Sequence, residues 1–194
     1  EEIPEGKPKE SIVAALSQNR VSITADFSGS EIFVFGAVKR EAPARDAKLD
    51  VIVEISGPAT PVHVRRKERI AGIWMNRNTV MIDEAPSFYA LAATGKLQSV
   101  LSYTDDLRHR IGINHKVRLI GAPAVDDPQA FRRAVIRLRH NAGLYLNEPS
   151  RVDVLDNTLF TTHVGLPANL VEGNYRARVF LLHDREVTDV FQTV

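Results

Sequence analysis

Short apolar runs separated by turn residues occupy most of this chain and restrict its fold more than any other feature. Between Ser11 and Ala93 the runs are IVAAL, VSITADF, EIFVFGAV, LDVIVEI, PVHVRR, TVMID and SFYALAA. After Gly143 similar runs return as RVDVLD, LFTTHVGL, NYRARVFLLH and EVTDVFQTV. Runs of this length, rich in β-branched and aromatic residues and bounded by turn residues, are typical of β-strands. The sequence therefore predicts a mainly β protein.

Two of these runs predict how the strands stack. The run over 32–38 is apolar on both faces, which indicates a central strand of a sheet. The run over 49–55 alternates apolar residues with Asp50 and Glu54, the pattern of a strand with one face toward solvent. Together they favour a β-sandwich of immunoglobulin-like character.

One or two helices are expected in the middle of the chain. Thr104 can cap a short helix over residues 105–111. A stronger helix is predicted at about 128–142, where Asp127 is the N-cap candidate, Pro128 fills the first helical position and Gly143 closes the end. The residues expected on its core face are Phe131, Ala134, Val135, Leu138 and Ala142.

These elements suggest a division of the chain into three parts. Residues 1–10 form a flexible leader, because two prolines and six charged residues precede the first buried segment. Residues 11–101 form a β-sandwich domain, and residues 102–194 form an α+β or β-sandwich domain that carries the helix at 128–142. The alternative is one continuous sandwich, in which late strands complete a sheet begun by the first half and the helices pack outside it.

The charge balance argues against a nucleic-acid-binding protein. Lys and Arg number 25 against 24 Asp and Glu, so the net charge is only +1. The distribution is uneven, however: between Arg108 and His140 eight basic residues face two acidic ones. That segment lacks the interleaved aromatic residues on which bases stack, so no nucleic-acid partner is expected there.

The predicted helix at 128–142 concentrates this positive charge and is the candidate binding surface. Its basic side lies opposite Phe131 and Leu138, with Ile136 among the charged residues. The candidate residues for a protein partner, anionic lipid headgroups or a small anion are Arg132, Arg133, Arg137, Arg139 and His140. The alternative is a solvated face whose arginines pair with acidic strands and contribute little.

Catalytic chemistry is not indicated. Common nucleophile, phosphate-loop, dinucleotide and zinc-protease motifs are missing, and the chain has no cysteine. Three acidic pairs occur beside turns or helix starts: Asp83 with Glu84, Asp105 with Asp106, and Asp126 with Asp127. Helix-dipole and capping roles explain the last two pairs. The six histidines are scattered, although His63, His163 and His183 all lie in strands and could meet across a sheet. We expect no catalytic residue, no metal site and no cofactor.

Trp74 and Tyr89 are further candidates, since an exposed aromatic side chain can anchor a partner. Each lies among apolar neighbours, in GIWMN and PSFYALA respectively. The interpretation we favour is that both are core residues, with Trp74 filling the centre of the sandwich.

Phrases along nearly the whole chain resemble a family of alpha-proteobacterial transmembrane proteins. The phrases are FSGSEIFVFGA (27–37), IWMN (73–76), PSFYALA (86–92), IGI (111–113), GLY (143–145), LF (159–160), GLPAN (165–169) and EGNYRARVFLLHD (172–184). The resemblance implies a signal peptide, a periplasmic β-rich region and one C-terminal membrane helix, often in the company of sulfite-exporter-type permeases. It offers no catalytic residues. Arg185 stands where a turn glycine is usual in the family, which predicts a looser last hairpin.

These observations predict an extracytoplasmic domain on the periplasmic side of the inner membrane, with its single C-terminal anchor outside this chain. No apolar run here approaches the roughly 20 residues of a membrane-spanning helix. The expected function is non-enzymatic binding of a membrane or envelope protein, with a sulfite-exporter-type permease as a possible partner. The alternative is a periplasmic binder of a small anion that uses Arg or His donors.

Overall fold

Strands dominate the computed structural model, which describes residues 10–24, 27–41, 48–119 and 127–193 and, at 77, 78 and 147–150, the backbone alone. The strands are β1 (Glu10–Leu16), β2 (Arg20–Val21), β3 (Ser30–Arg40), β4 (Leu49–Ser56), β5 (Ala59–Ile70), β6 (Ile73–Pro86), β7 (Tyr89–Ala93), β8 (Arg118–Leu119), β9 (Tyr145–Arg151), β10 (Asp153–Leu155), β11 (Leu159–Leu166), β12 (Gly173–Asn174), β13 (Arg176–His183) and β14 (Glu186–Gln192). The helices are α1 (Leu97–Val100), α2 (Tyr103–His109) and α3 (Pro128–Asn141), with a 3₁₀ turn at Ile113–His115. The mainly β prediction is confirmed. The leader predicted for 1–10 lies outside the described residues apart from Glu10.

Two large sheets stack on each other. One has the strand order β1-β3-β11-β10, and the other has the order β14-β13-β4-β7-β9, in which β7 and β9 run parallel. A further sheet, β5-β6-β8, contains a long hairpin, and β2 pairs with β12. Each large sheet combines strands from before residue 101 with strands from after residue 102. Strands of the two predicted domains, 11–101 and 102–194, thus pair within the same sheets, as they would in the alternative of one continuous sandwich, and the division into domains stays a prediction. The immunoglobulin-like character stays a prediction.

The five-stranded sheet is buried on both faces because two layers cover it. One face packs against the four-stranded sheet in a core that contains Val53, Val179 and Ile32. The other face packs against α1, α3 and the base of the β5–β6 hairpin in a second core that contains Ile52 and Phe180. The polypeptide therefore forms three layers: sheet, sheet, and a mixed layer of helices and hairpin.

The prediction that β4 has a solvent-exposed face is wrong. Asp50 and Glu54 are 4% and 1% exposed, because both lie beneath these covering layers. Each carboxylate has partners that offset its loss of hydration. Thr94 Oγ1 donates a hydrogen bond to Asp50 Oδ1 at 2.6 Å, and Glu54 holds two cations that are described below.

The strand predicted to be apolar on both faces, β3, is an inner strand as expected, but only one of its faces is covered. Ile32, Val34 and Val38 lie in the first core. Phe33 and Phe35 point outward and are 48% and 52% exposed. In the described part of the chain no layer covers this outer face of the four-stranded sheet.

Trp74 is not a core residue, so that prediction is wrong. It lies at the end of the β5–β6 hairpin and is 66% exposed, because the outer half of the hairpin extends beyond the packed layers. Tyr89, in contrast, is 2% exposed, as predicted, and its hydroxyl donates to the carbonyl of Ile111.

The helix ends follow the capping rules, with one difference from the prediction. The α3 predictions are confirmed: Asp127 Oδ1 accepts from Ala130 N at 3.1 Å, Pro128 opens the helix, and Gly143 follows it in the left-handed region at φ +71°. For α2 the cap is Ser102 and not Thr104, since the Ser102 side chain accepts from Asp105 N at 3.2 Å. The helix accordingly begins and ends two residues earlier than the predicted range 105–111.

Arg185 anchors the last hairpin to the helical layer. It occupies the turn between β13 and β14 at φ +72°, a conformation that favours glycine. Its guanidinium donates to the carbonyl oxygens of Gln98 and Leu101 at 3.2 and 3.3 Å, and its own carbonyl accepts from Ser102 N at 2.9 Å. The looser hairpin predicted from this substitution is not what the structure shows, because these contacts hold the turn in place.

Candidate functional site

The five residues predicted on α3 separate into two groups. Arg133, Arg137 and His140 are exposed, whereas Arg132 and Arg139 are half-buried. Arg139 Nη1 donates to the Ser87 carbonyl oxygen at 2.9 Å, and its guanidinium lies 5.9 Å from the centre of the Tyr145 ring. Arg139 therefore fastens the helix to the five-stranded sheet, and the exposed group alone is open to a partner.

The apolar face of α3 also differs from the prediction. Phe131, Val135 and Ile136 are buried, while Leu138 is 60% exposed. The helix is thus rotated so that Ile136 joins the core and Leu138 faces solvent. Among the exposed cations, Arg133 pairs with Asp127 at 3.0 Å, and Arg137 makes no ion pair with any described residue. The exposed surface of α3 is basic with one apolar side chain.

A pocket of about 190 Å³ gathers a different set of basic residues. Its cationic lining is Arg108, Arg110, Lys116, Arg118 and Arg178, with His109, His115 and Glu84 beside them. Arg108, Arg110, Lys116 and Arg118 belong to the positive segment that the sequence shows over 108–140, but the sequence predicts no site at these four residues. The sequence feature that indicates this pocket is the density of basic residues over 108–118. Arg178 could not be added from the sequence, because it comes from β13.

Glu54 organises the inner wall of this pocket. Arg178 donates to it twice, from Nε to Oε1 at 3.1 Å and from Nη2 to Oε2 at 2.6 Å, and Lys116 Nζ lies 2.8 Å from Oε1. The Arg178 and Lys116 side chains are 17% and 19% exposed. Desolvation lowers the pKa of Lys116, an effect that the charge of Glu54 opposes. Two partly desolvated cations therefore share one carboxylate, which leaves one positive charge in excess.

Arg110 adds a second uncompensated positive charge at the mouth of the pocket. It is the C-cap of α2 in the left-handed conformation, at φ +53°, and its side chain makes no ion pair with a described residue. Its carbonyl and that of His109 accept hydrogen bonds from Arg178 at 3.1 and 2.9 Å. The remaining arginines are paired, Arg108 with Asp105 and Arg118 with Asp83. Four of the five N–H groups of Arg178 are already used by Glu54 and these two carbonyls, so the pocket offers fixed positive charge and the guanidinium of Arg110, which pairs with no described carboxylate.

The histidines in strands do not meet across one sheet. His63 lies on the hairpin strand β5, His163 lies on the outer face beside Phe33, and His183 on β13 contacts Glu10 of β1. Hydrogen bonds and charges of Arg40 and His183 lower the pKa of Glu10, although burial, the largest single effect, acts in the opposite direction. Among the described residues no group of three or more His, Asp and Glu side chains could hold a metal ion.

The outer face of the four-stranded sheet carries a contiguous apolar patch. We call this patch the outer face and define it by Val13, Phe33, Phe35, Leu155 and Leu159, whose exposed fractions lie between 48% and 60%. The register places Ala37 opposite both Val13 and Leu159, so the side chains adjoin across neighbouring strands. A shallow groove of about 490 Å³ runs over the patch, and none of the side chains that line it is charged.

Comparison with known proteins gives one match. A family model described as "Putative transmembrane protein (Alph_Pro_TM)" matches residues 11–194. No curated protein and no solved structure matches the chain. Within the described ranges, no helix has the length and apolar character needed to cross a membrane.

Proposed function

Because the chain belongs to this family of putative transmembrane proteins, we propose that it is the non-enzymatic, extracytoplasmic domain of a membrane-anchored protein and that it binds another protein of the bacterial envelope. Its place is the periplasmic side of the inner membrane. The partner is a membrane or envelope protein with an apolar surface, and a sulfite-exporter-type permease is the specific candidate.

The outer face is the observation that carries this proposal. Five large apolar side chains adjoin on one sheet surface, and soluble proteins rarely expose contiguous apolar patches of this kind unless a partner covers them. Phe33 and Phe35 are rigid aromatic side chains that lose little conformational freedom on binding. Charged residues of the same strands lie at the ends of the patch, Glu31 on one side and Lys39 on the other. An apolar centre with a polar rim is the usual anatomy of a protein interface.

The exposed basic residues of α3 extend the proposal to a second surface. Arg133, Arg137 and His140 could contact an acidic partner surface or anionic lipid headgroups near the anchor, where each basic residue contributes about 1 kcal/mol. Arg139 is already engaged with Ser87 and Arg132 is half-buried, so both are less open to a partner than the exposed group.

We expect that placing charges on the outer face will disrupt partner binding. Full-length protein co-expressed with the permease is purified from membranes, and permease recovery is measured. Phe33→Asp combined with Phe35→Asp should reduce recovery at least about tenfold, a loss of about 1.4 kcal/mol, because two carboxylates would have to be desolvated in the interface. Both side chains are half-exposed, so the fold should tolerate the change.

The matched control is Val171→Asp, which makes the same kind of change at a position that is 44% exposed and lies outside both the outer face and α3. Unchanged recovery with the folded outer-face variant contradicts the proposed interface. Charge reversal at Arg133 and Arg137 in the same assay tests α3, and unaltered recovery there would remove the helix from the binding surface.

The second candidate function is binding of a small periplasmic anion, and the basic pocket beside Glu54 favours it. Arg178, Lys116 and Arg110 bring three cations to one space, and contacts with buried Glu54 hold the first two in place. Guanidinium groups suit oxyanions because their N–H groups match the spacing of two oxygen atoms. The proposed site combines arginines with His109 and His115, and none of its residues lies on α3, where the sequence places the candidate residues.

Binding of an oxyanion should raise the thermal stability of the chain. Sulfite, sulfate, phosphate and organic sulfonates are compared with chloride at equal ionic strength. A ligand at a hundred times its Kd stabilises the folded state by about 2.7 kcal/mol. Arg110→Gln should abolish the shift, whereas Arg137→Gln, which removes an unpaired arginine elsewhere, should preserve it. Equal shifts in both variants, or in chloride, would rule out a specific site in this pocket.

A further inference from the structure

The outer half of the β5–β6 hairpin projects from the protein as a two-stranded arm. We define the arm as residues 65–79. On β5 the residues from Arg65 to Ile70 are exposed except Glu68, which is half-buried, and on β6 the residues from Ile73 to Asn76 are exposed. A strand that packs on a core alternates between buried and exposed positions. Since both faces of the arm are open, its side chains are available to something other than this chain.

The end of the arm is apolar on both of its faces. Ile70, Ile73, Trp74 and Met75 are 41%, 67%, 66% and 52% exposed. Ile70 pairs with Ile73 on one face, and Trp74 pairs with Arg69 on the other. The turn between them, Ala71 and Gly72, has φ +50° and +87°, so the hairpin reverses within two residues. The result is a narrow apolar tip without a flat side.

Basic residues follow directly behind this tip. Arg65, Arg66, Lys67 and Arg69 lie on β5, and Glu68 is the single acidic residue between Arg65 and Met75. Lys67 is three residues from Ile70, which corresponds to about 10 Å along a strand. A segment at a membrane interface buries its apolar part about 5–10 Å deep. The cations would therefore lie at the level of the phosphates when the tip is inserted.

We propose that this arm inserts its tip, Ile70 and Ile73 to Met75, into a bilayer that contains anionic phospholipid, with the basic residues of β5 on the headgroup phosphates. Charge complementarity favours a bilayer, because four basic residues lie behind the apolar tip and only one acidic residue, Glu68, 3.9 Å from Arg66, offsets them. A protein surface would more commonly be contacted by one face of such a hairpin. Trp is the side chain that prefers the boundary between headgroups and acyl chains. The proposal is separate from the outer face, since it uses different residues on a different sheet.

Trp74 is the only tryptophan of the chain, so its fluorescence reports on the tip directly. The 194-residue chain is mixed with vesicles of phosphatidylglycerol and phosphatidylcholine in equal parts, and emission and flotation are measured. We expect a blue shift of the Trp74 emission and flotation with these vesicles. Vesicles of phosphatidylcholine alone should bind at least tenfold more weakly, and added salt should weaken binding to the anionic vesicles.

Variants separate the two parts of the arm and keep the fluorophore. Ile73→Asp with Met75→Asp should abolish the blue shift, and Arg66→Gln, Lys67→Gln and Arg69→Gln together should lower the affinity at least tenfold and reduce its salt dependence. The control removes two exposed arginines that lie on neither the arm nor α3, Arg20→Gln and Arg176→Gln, and should float as the parent does. The variant Phe33→Asp with Phe35→Asp should also float normally, so this test and that of the proposed protein interface fail independently.

Three results would overturn the proposal. The first is an unchanged Trp74 emission with anionic vesicles. The second is flotation that the arm variants retain and that a variant with Arg133→Gln and Arg137→Gln loses, which would make α3 the lipid-binding surface. The third is a blue shift on addition of purified permease in detergent but none with vesicles, which would assign the arm to a protein partner.

Discussion

Replacing Glu54 with Gln is expected to lower the free energy of unfolding by about 3–5 kcal/mol. The change keeps the size of the side chain and removes its charge. Arg178 and Lys116 then remain in their partly buried positions without the carboxylate that now lies 2.6 and 2.8 Å from them. Removal of one partner from a buried ion pair is costly because the other charge stays desolvated. Urea denaturation followed by circular dichroism measures the loss.

Two further variants show whether the loss comes from the unpaired cations. Glu84→Gln removes an exposed carboxylate from the same pocket and should change stability by no more than about 0.5 kcal/mol. Adding Lys116→Met to Glu54→Gln should recover part of the loss, because one of the two stranded charges is gone. A Glu54→Gln variant as stable as the parent would mean that the carboxylate does not hold these cations.

Glu54 also shows how far the sequence could predict this fold. Glu54 alternates with apolar neighbours, which is the usual pattern of a strand with one solvent-exposed face. The pattern correctly predicts the strand β4. The partners that allow its burial are Arg178 and Lys116, which are distant in the sequence and reach it only after β4 and β13 have paired. Local sequence patterns show the hydrophobic period and the turn residues, so they are enough to identify strands. They do not reveal whether another layer covers the polar face.

The same limit applies to Trp74 and to the basic segment. Trp74 lies in an apolar run. Such a run has the same sequence pattern whether its hairpin packs on the core or projects from it. The positive segment over 108–140 was visible from the sequence. Its separation into a pocket around Arg110 and an exposed group on α3 depends on the position of β13, which supplies Arg178. The ends of α3 were predictable because Asp127, Pro128 and Gly143 act on the backbone next to them.

Phe180→Ala is expected to cost about 3–5 kcal/mol, because it opens a cavity in the second core. Phe180 is fully buried, with the Arg178 guanidinium 4.9 Å from its ring centre and the His109 ring at 6.0 Å. This face of the five-stranded sheet would be open to solvent if the helices and the hairpin base did not cover it. The size of the loss therefore measures whether the third layer is present in solution.

The strand pairing supplies the control for that measurement. Val190 on β14 lies opposite Phe180 in the register and is 39% exposed, so Val190→Ala should cost about 0.5 kcal/mol. Val179, which precedes Phe180 on β13, lies in the first core and is also fully buried. Val179→Ala should therefore cost more than Val190→Ala, although it removes the same atoms from the opposite face of the sheet. Equal losses for Phe180→Ala and Val190→Ala would contradict a sheet that is covered on both faces.

A single cooperative unfolding transition is expected in all three variants, because both cores share the strands of one central sheet.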